Sequence, residues 1–208
     1  MRHLPDSADR FPSLSNQLSW ITTSTHLLSL GKAWRLHSAR PSADGAGVSR
    51  TYEDFPVGTR LSSRPEVISA EDMIGFARRY DPQPFHLTTE AGENLLGGLA
   101  ASGWFTAAIS MRLFVEMMRV KGGIIGRAID ELRWPVAVHP GDVLRVEIEI
   151  LEARLSQSKP GYGLLRYRSL TKNHEDKVVQ SFVAVALLPC RSSSSSSSSS
   201  SLSSPPSG

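Results

Sequence analysis

The segment from Trp104 to Met118 constrains the fold more than any other stretch of this chain. Trp104, Phe105, Ala107, Ala108, Ile109, Met111, Leu113, Phe114, Val115, Met117 and Met118 are apolar, and Thr106, Arg112 and Glu116 interrupt them. At helical spacing these side chains cover most of the circumference, so a helix over Gly103–Val120 is expected to be buried on most sides. It is too interrupted to cross a bilayer, which needs about 18 or more consecutive apolar residues. Whatever buries it must come from the rest of the chain, and there the period changes. Leu144, Val146, Ile148 and Ile150 alternate with Arg145, Glu147 and Glu149, the pattern of a strand with one buried face. Ile124–Trp134, closed by Pro135, Tyr162–Thr171 and Val178–Leu188 read as further strands. The near-continuous apolar character of the last suggests a central place in the sheet. His139–Asp142 and Asn173–Asp176 are the turns between them.

Ahead of the long helix, Tyr52 begins an extended approach with a turn at Pro56–Gly58, and Arg60–Ile68 reads as a first strand. Ser69 with Asp72 three residues on resembles a capping box. Met73, Ile74, Phe76, Ala77 and Tyr80 then form one apolar helical face. Pro82 and Pro84 end that helix, because neither has an N–H to donate. Thr88–Glu93 reads as a short helix, Gly97–Gly98 as a loop and Ser102 as the cap of the long helix. The order defines an α+β class: a curved antiparallel sheet wrapped around a long buried central helix. No internal repeat appears.

Three regions divide the 208 residues. Residues 1–47 lack sustained periodicity and read as an unstructured leader. Being Arg- and Ser-bearing and acid-poor, the leader also leaves organelle targeting open beside a cytoplasmic location. Residues 48–190 form the body. Residues 191–208 contain an unbroken serine run with almost nothing to bury, so this tail is expected to be disordered. The formal charge of +3 invites a nucleic-acid reading, but residues 48–190 hold 17 Lys and Arg against 17 Asp and Glu. The excess lies in the tails, and a phosphate-binding groove is not supported. Cys190, the only cysteine, reads as incidental and not as a nucleophile. Gly97, Gly98 and Gly103 make no phosphate loop, since no Lys-Ser/Thr follows. Gly-x-Ser-x-Gly is absent. Asn173–Asp176 has metal-ligand residue types, but four consecutive turn positions cannot converge on one ion, so no metal is expected.

The chemistry concentrates in Asp81-Pro82-Gln83-Pro84-Phe85-His86. It offers a carboxylate and an imidazole five residues apart on a linker stiffened by two prolines, which holds both groups convergent at little entropic cost. Such a pair can divide acid and base work, though Asp before Pro is also ordinary turn chemistry. Of six histidines, three lie in the leader and His139 and His174 in turns; only His86 sits between two core helices. The second element is Ala101-Ser102-Gly103-Trp104, which opens the long helix. Free N–H groups there can hold developing negative charge, and Gly103 lets another group approach the backbone. A plain helix cap explains the same residues equally well.

Asp81-Pro82-Gln83-Pro84-Phe85-His86, followed by Ala101-Ser102-Gly103-Trp104, resembles the MaoC-like dehydratase family, which includes (R)-specific enoyl-CoA hydratases. Asp81, Pro84 and His86 match its D-x-N-P-(aliphatic)-H motif; Gln83 replaces Asn and Phe85 an aliphatic residue. The segment from Glu131 through Pro135, Gly141 and Asp142 to Ile150 is similar to the family's strand–Pro–Gly-Asp–strand unit. The likeness covers about residues 50–189. It implies a hot-dog fold, usually dimeric, with two sheets joined edge to edge. It also implies reversible addition of water to a trans-2-enoyl-CoA, or a related acyl-carrier thioester, giving an (R)-3-hydroxyacyl thioester. Asp81 would then orient and activate water, His86 would share that water and transfer protons, and the Gly103 N–H would polarise the thioester carbonyl. Ser102 would only cap the helix, and with Gln83, Phe85 and Trp104 it would border the substrate. No cofactor is implied, the CoA thioester being substrate. A hot-dog thioesterase and a non-catalytic acyl-CoA-binding protein are the alternatives.

Overall fold

A computed structural model describes residues 49–191. The leader expected over 1–47 and the serine run beyond Arg191 lie outside the described residues. A single 3₁₀ turn, Tyr52–Asp54, precedes strands β1 (Arg60–Ser62) and β2 (Glu66–Val67) and helix α1 (Ala70–Tyr80). A second 3₁₀ turn, Pro84–His86, leads to α2 (Thr89–Leu96) and α3 (Gly103–Met118). Then come β3 (Ile125–Arg133), β4 (Val143–Leu155), β5 (Tyr162–Lys172) and β6 (Val178–Pro189). The strands pair antiparallel in the order β1-β4-β5-β6-β3, with β2 on β4. This is the α+β, hot-dog arrangement: one helix held in a curved antiparallel sheet. Among the described residues no helix is long and apolar enough to cross a membrane.

The alternation of β4 does what its period requires. Leu144, Val146, Ile148 and Ile150 are all buried; the last three share a cluster with Leu113, Phe114 and Met118 of α3, and Leu144 shares one with Phe105 of the same helix. A bulge between Ile150 and Glu152 shifts the phase, so Ala153 opposite Leu165 continues the inward row. β6 lies between β5 and β3, as its apolar run suggests. Leu113, Phe114 and Met118 of α3 meet this concave face, with Phe114 stacked on Tyr167 at 4.9 Å. A second cluster joins Met73 of α1 to Leu99, Ala101, Phe105, Val138 and Leu144. That cluster fixes α1 against the approach to α3, and the candidate site lies where those two segments meet.

Three expectations are corrected. The single strand over Arg60–Ile68 is two short ones, because Pro65 has no N–H to continue the ladder. Ser63 bridges the break: its N–H donates to the Val146 carbonyl (2.8 Å) and its hydroxyl accepts from the Val146 N–H (2.9 Å). The long helix ends at Met118, before Val120, where Arg119 turns into the left-handed region at φ 50°. Nor is α3 buried on most sides. Trp104, Met111 and Val115 share a solvent-facing stripe, with Trp104 60% exposed, because the sheet of one chain covers only one side of the helix.

Candidate active site

Asp81 caps the end of α1, its N–H donating to the Ala77 carbonyl at 2.9 Å. Ser69 caps the other end through the Asp72 N–H, which contributes about 1 kcal/mol. From Asp81 the double-proline bend is tied by its own backbone: the Gln83 N–H donates to the Asp81 carbonyl (2.8 Å) and the His86 N–H to the Gln83 carbonyl (2.9 Å). The bend therefore returns His86 to Asp81. Its Nε2 lies 3.4 Å from Asp81 Oδ2, with the His86 side chain 8% exposed and that of Asp81 19%. The structure thus joins the carboxylate and imidazole that the motif singled out.

The tautomer of His86 follows from its other nitrogen. Nδ1 stands 2.8 Å from the Ala100 carbonyl oxygen, which can only accept, so Nδ1 carries the proton. An uncharged ring so fixed would turn the lone pair of Nε2 toward Asp81. Two acceptors at this spacing are brought into attraction by a shared proton donor, on the ring or on a molecule that bonds to both. Asp81 Oδ2 accepts from the Ser102 hydroxyl (2.7 Å) and Oδ1 from the Gln83 side-chain amide (2.9 Å). These two hydrogen bonds, with a smaller contribution from the charge of His86 when its ring is protonated, outweigh desolvation and hold the carboxyl below its ordinary range.

Ser102 does more than cap α3. Its oxygen accepts from the Trp104 N–H (3.2 Å) while its proton goes to Asp81, so one hydroxyl joins the helix start to the carboxylate. Gln83, expected to border the substrate, is engaged with Asp81. Phe85 meets the His86 ring edge-on at 4.5 Å. The exposed Trp104 ring meets Trp134 at 5.3 Å. Gly103 carries a first-turn N–H with no intrahelical acceptor. The group its missing side chain admits is Trp134: a Cβ on Gly103 would lie 2.8 Å from Cδ2 and Cε2 of that indole.

Trp134 and Gln180 were missed from sequence. The Trp134 Nε1–H donates to Gln180 Oε1 at 2.9 Å, and Gln180 is 1% exposed. The sequence pattern places Trp134 at the end of a strand, and β3 ends one residue before it, at Arg133. A signal for Gln180 existed: it is a lone amide in an otherwise apolar central strand. Burial and the nearby Glu53 push the Cys190 thiol up, away from nucleophilic use.

A hot-dog protein carrying a carboxylate–imidazole pair at the mouth of its central helix is the class that fold and site define. The chain belongs to the MaoC-like domain family, whose model matches residues 54–172. It is similar to the MaoC-like dehydratase from Rhodospirillum rubrum, at 41% identity and TM-score 0.66, over 70% of this chain and all of that one. The uncharacterized protein YdeM of Bacillus subtilis is 28% identical over 138 residues, 65% of this chain and 96% of its own length. The (R)-hydratase PhaJ1 from Pseudomonas aeruginosa shares the fold at TM-score 0.57 and 24% identity, over 68% of this chain and 86% of that one.

Proposed function

We propose that the protein adds water reversibly to a trans-2-enoyl thioester of CoA or an acyl carrier, giving the (R)-3-hydroxyacyl product. The observation that carries this reading is the 3.4 Å approach of His86 Nε2 to Asp81 Oδ2, with Nδ1 committed to Ala100. A water bonded to both acceptors has its own oxygen lone pair left to attack carbon 3. Asp81, kept anionic, orients and activates that water, and His86 takes part in moving its proton. As the C–O bond forms, the π pair shifts toward carbon 2 and the thioester oxygen. The Gly103 N–H at the positive end of α3 stabilises that oxygen. Carbon 2 then takes the proton the water gave up, and substrate plus water balance the product. Gln83 and Ser102 hold the carboxylate, while Phe85 and Trp104 border the acyl thioester.

Crotonyl-CoA tests this directly. Loss of the enoyl absorbance without release of free thiol is the expected result. Thiol release would make the protein a thioesterase, and no change in either signal would leave only binding.

We also propose a homodimer. β3 is an edge strand exposed along nearly its whole length, with Ile125 and Ile129 open to solvent. An uncovered edge strand with such side chains invites pairing with a second copy. Sedimentation equilibrium should return twice the chain mass, and Ile129→Lys should shift it toward one. A monomeric wild type would end this reading.

A further inference from the structure

His139 lies in the turn before β4, yet its ring reaches back into the segment that carries the site. His139 Nδ1 lies 2.9 Å from the Leu99 carbonyl oxygen, and His86 Nδ1 lies 2.8 Å from the next one, that of Ala100. Both oxygens can only accept, so each ring is fixed with its proton on Nδ1. The amides of the same two peptide groups are held as well. The Ala100 N–H donates to the Phe85 carbonyl (3.2 Å) and the Ala101 N–H to the Val138 carbonyl (2.8 Å). Phe85 precedes His86 and Val138 precedes His139, so each histidine and its preceding residue grip the segment together. The Leu99–Ala100 peptide is gripped by one pair at its oxygen and by the other at its nitrogen.

This grip is needed on the upstream side. Gly97 and Gly98 stand before Leu99 with φ 78° and 127°, backbone that resists rotation little. Downstream lies Ser102, already bonded to Asp81. The turn bearing His139 is itself braced by Asp142, whose carboxylate accepts the His139 backbone N–H at 2.9 Å and faces His174 Nδ1 at 3.5 Å.

We propose that His139 is a positioning residue for the Asp81–His86 pair. By holding the Leu99 carbonyl it sets the peptide plane before Ala100, and so aims the carbonyl that fixes the tautomer and ring orientation of His86. The inference rests on the reading of Asp81 and His86 as the reacting pair.

Two variants of the full chain test it. His139→Asn puts an amide N–H where Nδ1 stands, whereas His139→Leu fills the space without a donor. Long-range ¹⁵N correlation spectra of the imidazoles, taken where free histidine is neutral, report the His86 tautomer without any substrate. The wild type and His139→Asn should show one His86 species, with the proton on Nδ1. His139→Leu should show mixed tautomers, with kcat on crotonyl-CoA lower by about ten- to a hundredfold and KM little changed. An unaltered His86 signal in His139→Leu would overturn the proposal, as would equal losses of turnover in both variants. An inactive wild type would instead overturn the hydratase reading and leave the tautomer test standing.

Discussion

Replacing Asp81 by Asn, or His86 by Ala, should lower turnover of an enoyl thioester by at least about a hundredfold while the fold survives. Asn keeps the size of Asp81, but it loses the negative charge. Its new N–H group stands either at the Oδ1 position, where it meets the Gln83 amide donor against donor, or at the Oδ2 position, where it no longer accepts from Ser102 and occupies the lone pair of His86 Nε2. His86→Ala removes that lone pair outright and leaves the Ala100 carbonyl without its partner. The orphaned acceptor costs about 1–3 kcal/mol, which a domain with about 5–15 kcal/mol in hand survives. Circular dichroism and thermal melts check the fold, and initial rates check the chemistry. Near-normal turnover in either variant would remove that residue from the mechanism. Asp81 also carries a pH signature. Its pKa in the folded state lies below the ordinary 3.8, so its stabilising contribution is complete above the unfolded value. That contribution is lost as pH falls through the lowered folded value, and Asp81→Asn should remove this part of the acid destabilisation.

Gly103→Ala should be the most damaging single methyl group at the site. The added Cβ would stand 2.8 Å from two indole carbons of Trp134 and 3.2 Å from a third. Trp134 cannot simply swing away, because its Nε1–H is bound to a buried Gln180 whose own amide nitrogen has no partner among the described residues. Moving the indole strips Gln180 of its remaining hydrogen bond. Moving α3 instead pulls Ser102 from Asp81 and shifts the Gly103 N–H. Overpacking of this kind costs about 1–3 kcal/mol. Displacing the amide and the carboxylate should lower turnover by about a hundredfold. Trp134→Leu in the Gly103→Ala background should restore melting temperature more than activity. A Gly103→Ala protein that melts and turns over like the wild type would show that the indole yields freely.

The helices and inner strands were legible because their periods are unambiguous. Leu144 to Ile150 could only be a half-buried strand, and Met73 to Tyr80 only one face of a helix. The meeting of Asp81 and His86 was legible because a six-residue bend with two prolines leaves its ends few places to go. What stayed hidden depended on long-range contact. Nothing near His139 reveals that its ring meets Leu99, 40 residues earlier. Nothing near Gly103 reveals the indole of Trp134, so the glycine was assigned to an approaching ligand. The bond from Ser102 to Asp81 was likewise set by how α1 and α3 meet. The bare stripe of α3 stayed hidden for a different reason: an apolar circumference does not tell which faces of a helix the rest of its chain covers.

The most direct test is a crystal structure with a non-hydratable enoyl thioester analogue bound. Its carbonyl oxygen should lie within about 3 Å of the Gly103 nitrogen, with carbon 3 facing a water bonded to both Asp81 and His86. An analogue seated elsewhere, or a thioester that binds with that carboxylate and imidazole turned away from carbon 3, would contradict the assignment.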